Sequence, residues 1–120
     1  MGWVSAPDDL KEFLAEKMKP LDCTMKKMFG SECYFINNNM FIGVHQDCIF
    51  MRLSSEDRAI ALNGEDEIML FEPMKGRVMK EYILLPEQIF DDSIQFEKYL
   101  AQSLRFVNSL PPKLPQKRKT

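Results

Sequence analysis

Four short apolar segments, Thr24–Phe29, Cys33–Ile36, Met40–His45 and Cys48–Leu53, follow one another with only a few turn-forming residues between them. This spacing constrains the fold more than any other feature of the chain. Gly30 separates the first two segments. Asn37-Asn38-Asn39 separates the next two, and asparagine accepts positive φ more readily than most residues that carry a Cβ. Gln46-Asp47 is short enough for a tight hairpin even without a glycine. Strands joined by such turns pair antiparallel. Alternation puts Met40, Ile42 and Val44 on one face of their strand and Ile49, Met51 and Leu53 on one face of the next. Phe41 and Phe50 fall on the opposite faces, so the sheet is expected to be covered at least partly on both sides.

Helical patterns frame this run. Leu10, Phe13, Leu14 and Met18 recur at helical spacing. Ser5 suits the N-cap, Pro7 the first turn, and Asp8 and Asp9 the positive end of the helix dipole. Pro20 ends that helix near Met18 or Lys19. At the other end, Asp92 caps a helix with Gln95 three residues on. Phe96, Tyr99, Leu100, Ser103, Leu104 and Val107 keep one face of it until Leu110-Pro111-Pro112. Between the hairpins and this last helix, Ser54 and Asp57 stand at capping-box spacing and Asn63-Gly64 supplies a stop, which predicts a short helix. Glu65-Asp66-Glu67 reads as a solvated acidic loop. Ile68–Phe71 and Val78–Leu85 read as two more strands, joined around Pro73 and Gly76. The fold class is therefore α+β, an antiparallel sheet of about five or six strands flanked by N- and C-terminal helices. Residues 1–110 read as one domain, with no internal repeat, and 111–120 as a basic Pro- and Lys-rich tail.

With 45% hydrophobic residues, the 120-residue chain is apolar enough to build a core. Charge is unevenly spread. Four of the 16 basic residues, Lys113, Lys117, Arg118 and Lys119, lie in the tail, which leaves 12 against 18 acids and a net −6 in residues 1–110. A body of that sign disfavours phosphate tracking, although the tail keeps a nucleic-acid contact open. Cys23, Cys33 and Cys48 are an odd number without a CxxC pair, and the single histidine, His45, is not at zinc-ligand spacing from any of them. Free thiols, no metal and a cytoplasmic location are expected. Neither an apolar run of membrane-spanning length nor a signal-peptide pattern is evident.

Catalytic chemistry finds little purchase. Nucleophilic catalysis usually needs a base in reach, and His45 sits in an apolar strand before a turn, where a hydrogen-bonded or surface role accounts for it. Asp8-Asp9, Glu65-Asp66-Glu67 and Asp91-Asp92 lie at helix starts or in a loop, so capping and solvation explain them. The P-loop, GxGxxG, HExxH and GxSxG motifs are absent, and no cofactor is expected. Nine methionines are more distinctive. Met28, Met40, Met51, Met69, Met74 and Met79 fall in or beside strands, where methionine either fills core gaps or forms an adaptable binding surface. Trp3 precedes the first helix and suits a hydrophobic staple. Met74-Lys75-Gly76-Arg77 is the most pointed feature. Gly76 supplies a backbone conformation that other residues resist, and Lys75 and Arg77 present two cations at a turn. Such a turn either solubilises an acidic domain or contacts an acidic partner, for which arginine is well suited.

Several signatures occur in order. Met28-Phe29-Gly30 is followed by Met40-Phe41, by Ile49-Phe50-Met51-Arg52, by Met74-Lys75-Gly76-Arg77 with Met79 and Tyr82, and by Pro86 before the closing helix. From about residue 8 to 108 the chain resembles the N-terminal domain of the TfoX/Sxy family, known for regulating natural competence in bacteria. Ser31 stands where the family often has a second glycine, and Asn37-Asn38 and Gln46-Asp47 replace its Asp-Gly turns. Full-length competence regulators carry a C-terminal domain that these 120 residues do not contain. The resemblance implies the fold and a regulatory, protein-binding role.

The resulting expectation is a non-enzymatic regulatory or adaptor domain that binds an unidentified protein through Lys75, Gly76 and Arg77, with a homodimer left open. The alternatives are a nucleic-acid-associated protein gripping phosphates with Lys113, Lys117, Arg118 and Lys119, and an enzyme of unfamiliar type. Beyond its prolines the tail has one apolar side chain, Leu114, and can bury little surface. Deleting it is expected to leave the melting temperature nearly unchanged while removing any salt-sensitive binding to nucleic acid. A large fall in melting temperature would overturn this expectation.

Overall fold

The computed structural model describes residues 8–28, 31–64 and 67–112, with only the backbone of Met28 and Ser31. The expected cap at Ser5 and Pro7, the Trp3 staple, Phe29-Gly30, Glu65-Asp66 and the tail cations Lys113, Lys117, Arg118 and Lys119 lie outside the described residues. In chain order the elements are α1 (Asp8–Met18), β1 (Thr24–Met28), β2 (Ser31–Ile36), β3 (Asn39–His45), β4 (Cys48–Arg52), α2 (Ser55–Gly64), β5 (Met69–Met74), β6 (Arg77–Leu85), α3 (Glu87–Phe90) and α4 (Ser93–Ser109). The strands form one six-stranded sheet in the order β1-β2-β3-β4-β6-β5, antiparallel throughout.

The turn chemistry works as the sequence implies. Asn37 and Asn38 adopt φ of 53° and 67°, and Gln46 adopts 55° at the β3–β4 turn. Asp92 Oδ1 accepts hydrogen bonds from the Ile94 and Gln95 amides at 3.0 and 3.2 Å, capping α4. Ser54 Oγ accepts from the Asp57 amide at 3.2 Å, capping α2. The Asp57 carboxylate does not reach back as a full capping box would. It accepts from Arg105 of α4 at 3.1 Å, tying the two helices together.

All four helices contribute to the core on one face of the sheet. Leu10, Leu14 and Met18 of α1, Ala61 of α2, Ile89 and Phe90 of α3, and Phe96, Tyr99, Leu100 and Val107 of α4 pack there. They meet Ile42, Val44, Ile49, Met51, Leu53, Ile83 and Leu85. A second, smaller cluster of buried residues, Cys33, Met40, Phe50, Phe71 and Tyr82, contains no helical residue. It occupies the other face of the sheet.

Simple alternation fails in β3. Pairing runs from Tyr34↔Ile42 to Phe35↔Met40, so Phe41 is an extra residue on its strand. This bulge puts Phe41 in the helix-covered core beside Ile42 and Val44, and moves Met40 to the opposite cluster. The expected grouping of Met40 with Ile42 and Val44 is therefore corrected. β5 and β6 also run further into their turn than Ile68–Phe71 and Val78–Leu85 would suggest, because Gly76, at φ 83°, lets them pair as far as Met74↔Arg77. The single turn α3 goes unannounced in the sequence, being too short to show a helical period. At the C-terminal end, the buried Asn39 donates from Nδ2 to the Pro111 carbonyl at 3.1 Å. That bond ties Pro111 to the body.

Gly43 faces the helix-free cluster between Cys33 on β2 and Phe50 on β4, its partners in register. A Cβ there would overlap the Phe50 ring, 2.7 Å from Cε2, and stand 3.0 Å from Cys33 Sγ. Gly43→Ala is expected to cost about 1–3 kcal/mol through overpacking. The cost should shrink in a Phe50→Leu background, because the two positions are coupled. Additive losses in a denaturant double-mutant cycle would refute the steric account.

Candidate functional site

The helix-free face is closed by the β5–β6 hairpin. Pairing along it jumps from Leu70↔Ile83 to Phe71↔Met79, so β6 bulges by three residues opposite β5. This irregularity brings Phe71, on the outermost strand, over the middle of the sheet. Its ring stacks on Phe50 at 4.3 Å and 7° and meets His45 edge-on at 5.1 Å. Tyr82 stands edge-on to Phe50 at 5.8 Å and donates its hydroxyl to the Met40 carbonyl at 3.0 Å. Burial pushes its ionisation up from 10.0 to about 12, while neighbouring Arg52 pulls the other way.

Beyond this aromatic clamp the hairpin projects into solvent. Glu72 Oε2 accepts from the Gly76 amide at 2.6 Å and so holds the turn closed. Lys75, Gly76 and Arg77 are all exposed. Met74 and Val78 flank them at 61% and 43% accessible, and Met69, 58% accessible, lies at the far end of β5 opposite Leu84; these three are half of the six large hydrophobic residues exposed among those described. The methionines thus divide between two roles. Met40 and Met51 fill the core, whereas Met69 and Met74 lie open on the hairpin.

Arg77 differs from its fellow arginines. Arg52 bonds Glu81 through Nε and Nη2 at 2.7 and 2.6 Å, with Tyr82 and Phe106 rings 5.7 Å from its guanidinium. Arg58 donates to the Leu53 carbonyl at 2.9 Å, and Arg105 to Asp57 at 3.1 Å. Among the described residues, Arg77 is the one arginine whose guanidinium has neither a hydrogen bond nor an ion pair. Lys75 and Lys80 likewise have no ion pair there.

The strands bring together one pair that the sequence reading missed. His45 and Cys48 are register partners across the β3–β4 turn. The spacing signal was present, since a two-residue turn pairs its flanking positions. The pair is not set up as base and nucleophile. Cys48 Sγ donates to Asp47 Oδ1 at 3.5 Å, and burial, reinforced by the Asp47 charge, pushes the thiol up to about 12. Burial also lowers the His45 pKa. A protonated thiol is a weak nucleophile. No disulfide joins Cys23, Cys33 and Cys48. Among the described residues, no three His, Cys, Asp or Glu side chains converge as metal ligands, and no helix is long and apolar enough to cross a membrane.

Residues 12–107 match the model of the TfoX N-terminal domain. The chain belongs to that family. No curated protein and no solved structure matches it. The family is of competence-regulator type, and several of the ordered signatures acquire structural roles within this TfoX N-terminal domain. Met40, Phe50, Met79 and Tyr82 all pack in the helix-free cluster, and Phe41 is the bulged residue. Gly76 closes the hairpin that Lys75 and Arg77 crown.

The Tyr82 environment sets a pH dependence for this TfoX N-terminal domain. Below pH 10 the phenol is neutral in the folded and unfolded chain, and its contribution to stability is fully present. Between about pH 10 and 12 the unfolded chain ionises first, so stability falls as pH rises through that window. Cys48, raised from 9.0 to about 12, acts in the same direction. Tyr82→Phe should therefore flatten, without abolishing, the alkaline loss of stability measured by denaturant titration across this range. An unchanged slope would assign the loss to other groups.

Proposed function

We propose that this TfoX N-terminal domain is a non-enzymatic regulatory or adaptor domain that binds another protein through the tip of the β5–β6 hairpin. One observation carries the reading: Lys75, Arg77 and the exposed Met69, Met74 and Val78 share a hairpin whose base is clamped by stacked aromatic rings. Exposed methionines suit adaptable recognition, and arginine is common among binding hot spots. Pre-organising the hairpin lowers the ordering cost of association. Family membership of competence-regulator type supports the regulatory class. The unlinked cysteines support work in the reducing cytoplasm.

Arg77→Ala separates this role from a structural one. With no hydrogen bond or ion pair among the described residues, the side chain should contribute little to stability, as surface groups away from special features usually do. As an interface anchor, its loss should weaken partner binding by about 2 kcal/mol or more. Quantitative capture from native lysate, with wild-type and Arg77→Ala baits of matched melting temperature, is expected to show selective loss of a partner. Equal capture by both baits, or a variant that melts early, would overturn the reading.

A further inference from the structure

Resting on that reading of the hairpin, we infer that its occupant is an acidic segment of a protein, with apolar side chains set among its carboxylates. The case begins with charge. The domain body is net negative, yet Lys75 and Arg77 at the hairpin turn, and Lys80 further along β6, have no ion pair among the described residues. Of the two nearby carboxylates, Glu81 is paired with Arg52, and Glu72, which keeps its charge while accepting the Gly76 amide, is outnumbered by Lys75 and Arg77. The tip therefore presents cationic groups to whatever approaches. Opposite charge steers such an encounter and disfavours basic partners.

The apolar component narrows the class further. Met74 and Val78 flank the Lys75-Gly76-Arg77 turn in sequence and are 61% and 43% exposed. A nucleic-acid backbone offers those side chains nothing to bury, and the negative body repels it. A protein segment mixing Asp or Glu with Leu, Val or Phe satisfies both requirements. Recognition runs through side chains more than through strand addition. Pro73 lacks an amide hydrogen, and the ladder beside it is irregular, so β5 is a poor template for a further strand.

The probe is a synthetic peptide alternating glutamate with valine, compared with its lysine-for-glutamate counterpart by fluorescence anisotropy. The glutamate peptide should bind at least tenfold more tightly, and its affinity should fall as salt rises from low to physiological strength. Lys75→Glu with Arg77→Glu should abolish that preference with the melting temperature unchanged. Met74→Ser with Val78→Ser should weaken binding but leave its salt dependence. No preference for glutamate, indifference to charge reversal, or tighter binding of duplex DNA would overturn the inference. Applied to the lysate partner, the two double variants also separate the inference from the reading beneath it. Loss with the serine variant alone keeps the hairpin as the site and removes the acidic partner. Loss with neither removes both.

Discussion

The arrangement of the whole second face depends on a missing side chain. Gly43 leaves a gap in the middle of β3, and the Phe50 ring from β4 lies across it. Only because that ring lies low against the sheet can Phe71 stack on it at 4.3 Å. Phe71 belongs to the outermost strand, so the stack links the edge of the sheet to β4 across β6. Aromatic stacking is worth roughly 0.5–1.5 kcal/mol beyond the area it buries. Its larger effect here is geometric. It anchors the β5–β6 hairpin, which carries Lys75, Arg77 and their apolar neighbours, to the middle of the sheet.

The β3 bulge couples this face to the helical layer. Extra residues in a strand disturb the regular ladder, and buried carbonyls need donors from elsewhere. Met40 receives one from the Tyr82 hydroxyl at 3.0 Å, on the helix-free side. Phe41, the next residue, receives one from the buried Ser103 hydroxyl of α4 at 3.2 Å, on the helical side. Consecutive carbonyls are thus satisfied from opposite layers. Ser103 occupies the apolar stripe of α4 without being an exception to it: the position faces the core, and the core there contains a carbonyl.

Period and turn chemistry made the hairpins, the terminal helices and the six-stranded outcome legible, since each is a local property. Asn37-Asn38 and Gln46 announced their turns through tolerance of positive φ. What stayed hidden was non-local. The bulge at Phe41 reverses the face of Met40, yet an alternating segment looks the same whether or not its partner strand is one residue short. The stack of Phe71 on Phe50 depends on a jump in register that no composition signals. At the candidate site, the turn and its cations were readable from Met74-Lys75-Gly76-Arg77. That Arg77 has no ionic partner among the described residues was not, because pairing is decided by which acids the fold brings near.

That last property gives the hairpin its meaning. Arg52 and Arg77 belong to adjacent strands of one sheet and have opposite fates. Arg52 is bonded to Glu81 and flanked by two aromatic rings, so its charge is largely spent inside the molecule. Arg77 is exposed without an ion pair among the described residues, and so is Lys75 beside Gly76. A domain with 18 acids could have neutralised both cations within the fold. Instead Glu72, the acid nearest in the hairpin sequence, accepts the Gly76 amide and holds the turn in shape. The turn is thereby held in shape while its cations have no ion pair among the described residues. A stability-driven design gains nothing from that separation, since exposed ion pairs are worth only about 0–1 kcal/mol either way. A recognition surface gains from it directly: the geometry is set before the partner arrives, and the charge is left for the partner to meet.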